Sequence, residues 1–99
     1  EEPLPLAFFI AMDDKSVIRA LALAELIRKE NPDWQIIVNT AGGSFKKQFK
    51  KADKSGAQLA LIIGEEELLQ NTVSIKQLRN DNEQLVVAQD NLIEHLKKI

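Results

Sequence analysis

The chain has no cysteine and a single histidine, His95. Their scarcity excludes a disulfide scaffold, a thiolate zinc site, a cysteine nucleophile and a histidine cluster for a transition metal. Aromatic residues make up only 5%, and no apolar run approaches the roughly 20 residues of a bilayer span. With 99 residues there is room for one domain, of a size that buries about two-thirds of its unfolded surface. What is present is ordinary for a globular protein: 44% hydrophobic and 28% charged residues, which excludes intrinsic disorder. The opening Glu1-Glu2-Pro3 carries neither an initiator Met nor the apolar core of a signal peptide. We therefore expect a single domain, residues 1–99, cut from a longer cytoplasmic protein.

Hydrophobic periodicity orders the elements. Residues 6–11 are continuously apolar, as in a strand covered on both faces. Asp13, Asp14 and Ser16 can cap a following helix that carries Val17, Ala20, Leu21, Ala24 and Ile27 inward, widened by Leu23 and Leu26, until Asn31-Pro32 stops it. Residues 34–39 read as a second strand, parallel to the first across that helix. A turn at Ala41-Gly42-Gly43-Ser44 opens a second helix with Phe45, Phe49 and Ala52 on its core face, closed by Gly56. Residues 58–63 form a third strand, Glu65-Glu66-Glu67 a short helical turn ending at Asn71, residues 72–78 a fourth strand and residues 85–88 a fifth. A final helix, capped by Asp90 or Asn91, turns Leu92, Ile93, Leu96 and Ile99 inward. This order predicts an α/β fold, a mixed sheet with helices packed on it.

The second helix carries Lys46, Lys47, Lys50, Lys51 and Lys54 against Asp53, a charge of +4 in a chain of net charge −2, so the remainder stands at −6. A surface helix usually presents a solvated polar face of mixed sign, because like charges three and four apart cost about 0.2–0.5 kcal/mol per pair. A ridge of one sign points instead to a polyanion. Gly42, Gly43 and Ser44 place unobstructed N–H groups at the helix N-terminus, where a phosphate is favoured, although the same residues serve equally as a tight turn with Ser44 as N-cap. The spacing is not that of a P-loop, so a nucleoside triphosphate site is unsupported.

The other candidates for chemistry are weaker. Three consecutive glutamates, 65–67, cannot converge on one cation unaided and suit the first turn of a helix. His95 sits in the last helix beside Lys97 and Lys98 with no partners for a triad. No catalytic or metal-binding residue is assigned, and no cofactor is expected in this chain.

From Asn39 to Ala57 the sequence NTAGGSFKKQFKKADKSGA, together with LIIGEEEL at 61–68, NTVSIKQLR at 71–79 and VAQD at 87–90, closely resembles the C-terminal anticodon-binding domain of bacterial histidyl-tRNA synthetases. The resemblance is collinear over nearly the whole chain. It implies a five-stranded mixed sheet flanked by three helices, as in class II synthetase anticodon domains, and a parent enzyme, a homodimer, that joins histidine to its tRNA with ATP and Mg in a catalytic core outside this chain. By comparison with related threonyl enzymes, Glu67 and Lys76 match an acidic and a basic position that contact anticodon bases, with Lys where the relatives have Arg. Specificity for the anticodon GUG is then expected from Thr40, Gln48, Glu67 and Lys76, with the backbone at Gly42 and Gly43 close by. Ser44 and the lysines Lys46, Lys47, Lys50 and Lys51 would hold phosphates. Phe45 and Phe49 are expected to serve the core, and Trp34 to pack or shield a sheet edge. The alternative within reach of the sequence is a regulatory or accessory module that senses tRNA or binds protein.

Overall fold

Ala7–Ala11 form β1 at the heart of the sheet, and all five residues are buried, which is why the segment carries no polar alternation. The computed structural model describes residues 5–98. The remaining elements are α1 (Asp14–Glu30), β2 (Ile36–Val38), α2 (Phe45–Lys54), β3 (Leu59–Ile63), α3 (Glu65–Gln70), β4 (Thr72–Gln77), β5 (Leu85–Ala88), a 3-10 turn (Gln89–Asn91) and α4 (Leu92–Lys97). The strands lie in the order β2-β1-β3-β4-β5. β1 runs parallel to β2 and β3, whereas β3 and β4, and β4 and β5, are antiparallel. The mixed α/β sheet matches the expectation, with α3 as the short turn foreseen after the third strand.

The sheet has a core on each face. On one, Ala7, Phe9, Ala11, Leu59, Leu61, Ile63, Val73 and Ile75 pack against Ala20, Leu23, Ala24 and Ile27 of α1 and Leu92 and Leu96 of α4. On the other, Phe8, Ile10, Ala60 and Ile62 pack against Ala52 of α2. Trp34 is half-buried against the first core, so it packs as one of its two expected roles allows. Ile99 lies outside the described residues.

α1 and β2 depart from the sequence reading. The inward stripe of α1 is narrower than expected, because Leu21 and Leu26 are exposed. They stand about 90° and 130° to either side of the line through Ala20, Ala24 and Ile27, off the face that packs on the sheet. β2 is also shorter than residues 34–39. Its pairing with β1 spans Ala7↔Ile36 to Phe9↔Val38, and the last ladder bond is donated by the Asn39 N–H to the Phe9 carbonyl at 3.1 Å.

Of the three possible caps of α1, Asp13 serves. Its carboxylate accepts the Ser16 N–H at 2.8 Å, and that bond holds its pKa below the ordinary carboxylate value. A depressed native pKa means that the cap contributes stability above the unfolded pKa and loses it as pH falls through the native one. Asp13→Ala is expected to lower the melting temperature at pH 7, and the difference from wild type should shrink on acidification below pH ~4. Thermal melts across that range check it; a constant difference would show that the charge is irrelevant to the cap.

Candidate nucleic-acid interface

The turn before α2 is fixed by its backbone. Gly42 and Gly43 have φ of +74° and +102°, conformations that side chains bearing Cβ rarely adopt. The buried Asn39 braces the turn by donating from Nδ2 to the Gly42 carbonyl at 3.1 Å. Ser44 then caps α2, its Oγ accepting the Lys47 N–H at 3.2 Å. Thr40, Gly42, Gly43 and Ser44 are all exposed, so the turn and the N-terminus of α2 face solvent together.

Lys46, Lys47, Lys50, Lys51 and Lys54 are exposed along the helix, and none of them makes an ion pair among the described residues. The one acid on this helix, Asp53, is instead held by Arg79, with Nη2 to Oδ1 at 2.9 Å. Arg79 also donates to the carbonyls of Asp53 and Ala57, tying the end of α2 to the chain beyond β4. An exposed pair of this kind adds little stability. Its consequence is electrostatic: Asp53 does not offset the neighbouring lysines.

Gln48 does not belong to the exposed set. It is fully buried, so it cannot reach RNA, and every polar atom of its amide is engaged within the fold. Oε1 accepts the Ala11 N–H at 3.0 Å, while Nε2 donates to the Ala11 and Gly43 carbonyls, each at 2.9 Å. β2 has ended by this level, so the side-chain amide takes the place of a further strand neighbour for Ala11. It also locks the glycine turn to the end of β1.

Phe45 departs from expectation in the opposite sense. Phe49 is half-buried against the second core, but Phe45 is 42% exposed. It shares a face with Phe49 yet occupies the first position of the helix, beside the exposed glycine turn.

Glu67 and Lys76 lie on the same sheet face as α2. In antiparallel pairs, directly opposed side chains point to one face, and Lys76 opposes Ala60, Ser74 opposes Ile62, and Val86 opposes Ser74. The half-buried Glu67 carboxylate is oriented from both sides: Oε1 accepts the Gly64 N–H at 2.8 Å and Oε2 the Ser74 hydroxyl at 3.0 Å. Lys76 is half-buried and donates to the Asn82 carbonyl at 3.3 Å. Beside them Val86 is 63% exposed.

Of the sequence candidates, the structure thus joins the turn to the lysine ridge and sets Glu67 and Lys76 on the same face. Sequence reasoning missed Ser74 as the hydroxyl that orients Glu67, and Arg79 as the partner of Asp53. Ser74 left a faint signal, a polar residue between Val73 and Ile75. Arg79 left none, being 26 residues from Asp53. Among the described residues no three His, Asp or Glu side chains gather as a metal site, and no helix is long and apolar enough to cross a membrane.

Residues 7–99 match the family described as Anticodon binding domain. The histidine–tRNA ligase of Legionella pneumophila subsp. pneumophila (strain Philadelphia 1) is 50% identical over 90 residues, which are 91% of this chain and 21% of that protein. The chain therefore spans about a fifth of such relatives. Among solved structures, histidyl-tRNA synthetase from S. aureus superposes with a TM-score of 0.85 at 26% identity, over 97% of this chain and 24% of that one. The enzyme from Nostoc sp. PCC 7120 gives 0.82 at 29%, over 98% and 22%. The RNA binding domain of threonyl-tRNA synthetase from Cryptosporidium parvum Iowa II gives 0.85 over 95% and 23%, and at 16% identity it speaks to the fold alone.

Proposed function

The chain belongs to the anticodon-binding-domain family, and from that premise we propose that it reads the anticodon of histidine tRNA as the C-terminal domain of a histidine–tRNA ligase. The observation that carries this reading is the exposed turn and lysine ridge of α2, whose lysines have no carboxylate partner among the described residues, on the sheet face that also bears Glu67 and Lys76. The ligases of Legionella, half identical in sequence, support the choice of amino acid. In this reading the whole enzyme is a cytoplasmic homodimer whose ATP and Mg serve a catalytic core outside this chain. Among the described residues no group of three acidic side chains gathers to hold a Mg ion.

The mechanism is a division of labour. Lys46, Lys47, Lys50 and Lys51 neutralise phosphates and set the register of the loop without reading it. Thr40 and the N–H groups at the start of α2 border the same backbone. Base identity falls to Glu67 and Lys76. A guanine presents adjacent N–H donors on its Watson–Crick edge, which a carboxylate can accept, and one carbonyl oxygen that an ammonium can approach. The anticodon GUG offers two guanines. Because Gly64 and Ser74 already orient the Glu67 carboxylate, binding need not restrict that side chain further.

The test is a titration of stem-loops carrying GUG or altered anticodons at several salt concentrations. Wild type should prefer GUG. Glu67→Gln should cost about 1–3 kcal/mol on GUG and much less on the altered loops, with the salt slope nearly unchanged. Equal weakening of every loop would remove Glu67 from base recognition, and the absence of any preference in wild type would overturn the anticodon reading.

A further inference from the structure

Phe45 is an exposed ring backed by a second ring. It is the one exposed aromatic side chain among the described residues: Phe8 and Phe9 are buried, and Trp34 and Phe49 are half-buried. Its ring lies stacked on Phe49, with centroids 5.7 Å apart and planes at 30°. Phe49 is in turn packed against the core that contains Phe8, Ile10, Ala60 and Ile62. Phe45 is therefore backed by a ring that packs on the core and remains open to solvent elsewhere.

Its surroundings define what could cover it. Phe45, Phe49 and Asp53 recur every four residues and form one stripe along α2. Phe49 packs in the same cluster as Leu78, and Asp53 is bonded to Arg79. The stripe thus ends, at Asp53, against the segment that follows β4, the strand that carries Ser74 and Lys76. Lys46 and Lys50 follow the two rings by one position each, about 100° around the helix, so the aromatic stripe is bordered by cations along its length. A flat apolar face beside exposed ammonium groups is complementary to one class of ligand, an unpaired base whose flanking phosphates carry the opposite charge. A purely apolar protein segment would match the ring and leave the lysines without counter-charges.

We propose that Phe45, supported by Phe49, is a stacking site for one unpaired base of the RNA loop. The proposal rests on the RNA-binding reading and deepens it: the lysines hold phosphates, Glu67 and Lys76 read edges, and Phe45 keeps a base out of the loop's own stack. Stacking is tolerant of base identity, so the site contributes affinity and presentation more than selectivity.

The experiment compares Phe45→Ala, Phe45→Leu and Phe45→Trp in the 99-residue chain, titrated with a GUG anticodon stem-loop. Folding is monitored by circular dichroism, and the loop base protons are followed by NMR. Phe45→Ala should weaken binding about 5- to 150-fold with the salt slope unchanged. Phe45→Leu, which keeps apolar bulk but has no π-face, should be equally weak. Phe45→Trp should bind at least as well as wild type. One loop base should show upfield ring-current shifts on binding wild type and lose them with Phe45→Leu. Wild-type affinity in Phe45→Leu, or unshifted base protons in wild type, would overturn the stacking site. The lysine variants discussed below separate the two ideas: if they weaken binding while Phe45→Ala does not, only the stacking site fails, and if wild type does not bind the stem-loop at low salt, the RNA reading fails with it.

Discussion

Gln48→Leu is expected to lower the unfolding free energy by about 2–6 kcal/mol, from about 1–3 kcal/mol for each buried group left without a partner. Leucine is no smaller than glutamine, so no large cavity opens. What the variant loses is the bonding of the Ala11 N–H and the Ala11 carbonyl, both inside a residue that is buried. The Gly43 carbonyl loses its bond too, but Gly43 is exposed and water can replace that partner. Against a typical stability of about 5–15 kcal/mol, the change is large enough to shift the urea midpoint clearly at unchanged m-value. Gln48→Glu should be worse at neutral pH. A carboxylate can still accept the Ala11 N–H, but it opposes two carbonyl oxygens and carries a buried charge. Its native pKa must be raised, so the penalty is full above that pKa and is relieved as pH falls through it. Partial recovery on acidification, absent in Gln48→Leu, is the diagnostic result. An unaltered midpoint in Gln48→Leu would show that the amide does not bridge β1 and α2.

Neutralising Lys47 and Lys51 together is expected to weaken every stem-loop alike. The two residues are one turn apart on α2 and both are exposed. On single-stranded RNA each lost phosphate contact lowers the logarithmic salt slope by about 0.7, so two contacts amount to roughly 25-fold in affinity near 0.1 M salt. The ratio of affinities for GUG and altered loops should not move, because phosphates carry no base identity. Stability should hold or rise slightly, since the variant relieves like charges four residues apart. Fluorescence anisotropy titrations at several salt concentrations around ~0.1 M, where screening becomes appreciable, measure slope and selectivity together. An unchanged affinity and slope would return the ridge to a solvated face.

Much of this molecule is written in local pattern. The uninterrupted apolar runs at β1 and β3 are central strands, buried at every position. Gly56, with φ of +82°, closes α2 where its position suggested. The turn at Gly42 and Gly43, the Ser44 cap and the solvent-facing lysines were equally legible, because glycine freedom, capping and helical spacing act within a few residues. Other features misled for a physical reason. Phe45 has the right spacing for the core, but spacing cannot say how far along a helix the core beneath it extends. Leu21 and Leu26 look inward on a helical wheel, but the width of the surface beneath a helix is set by strands elsewhere in the chain.

Composition, periodicity and turn chemistry therefore determined the order and type of the elements, the absence of cysteine and histidine-cluster chemistry, and the placing of five lysines along one helix. The sequence alone could not decide the fate of individual polar side chains, because that depends on partners far along the chain. Gln48, set among lysines, reads as one more surface residue. It is buried because β2 gives way to the glycine turn after Val38, leaving the N–H and carbonyl of Ala11, 37 residues earlier, without a strand neighbour. Glu67 reads as a member of an acidic run, and only the pairing of β3 with β4 brings the Ser74 hydroxyl to its carboxylate. A buried donor or acceptor must find a partner. Which partner it finds is settled when the strands assemble.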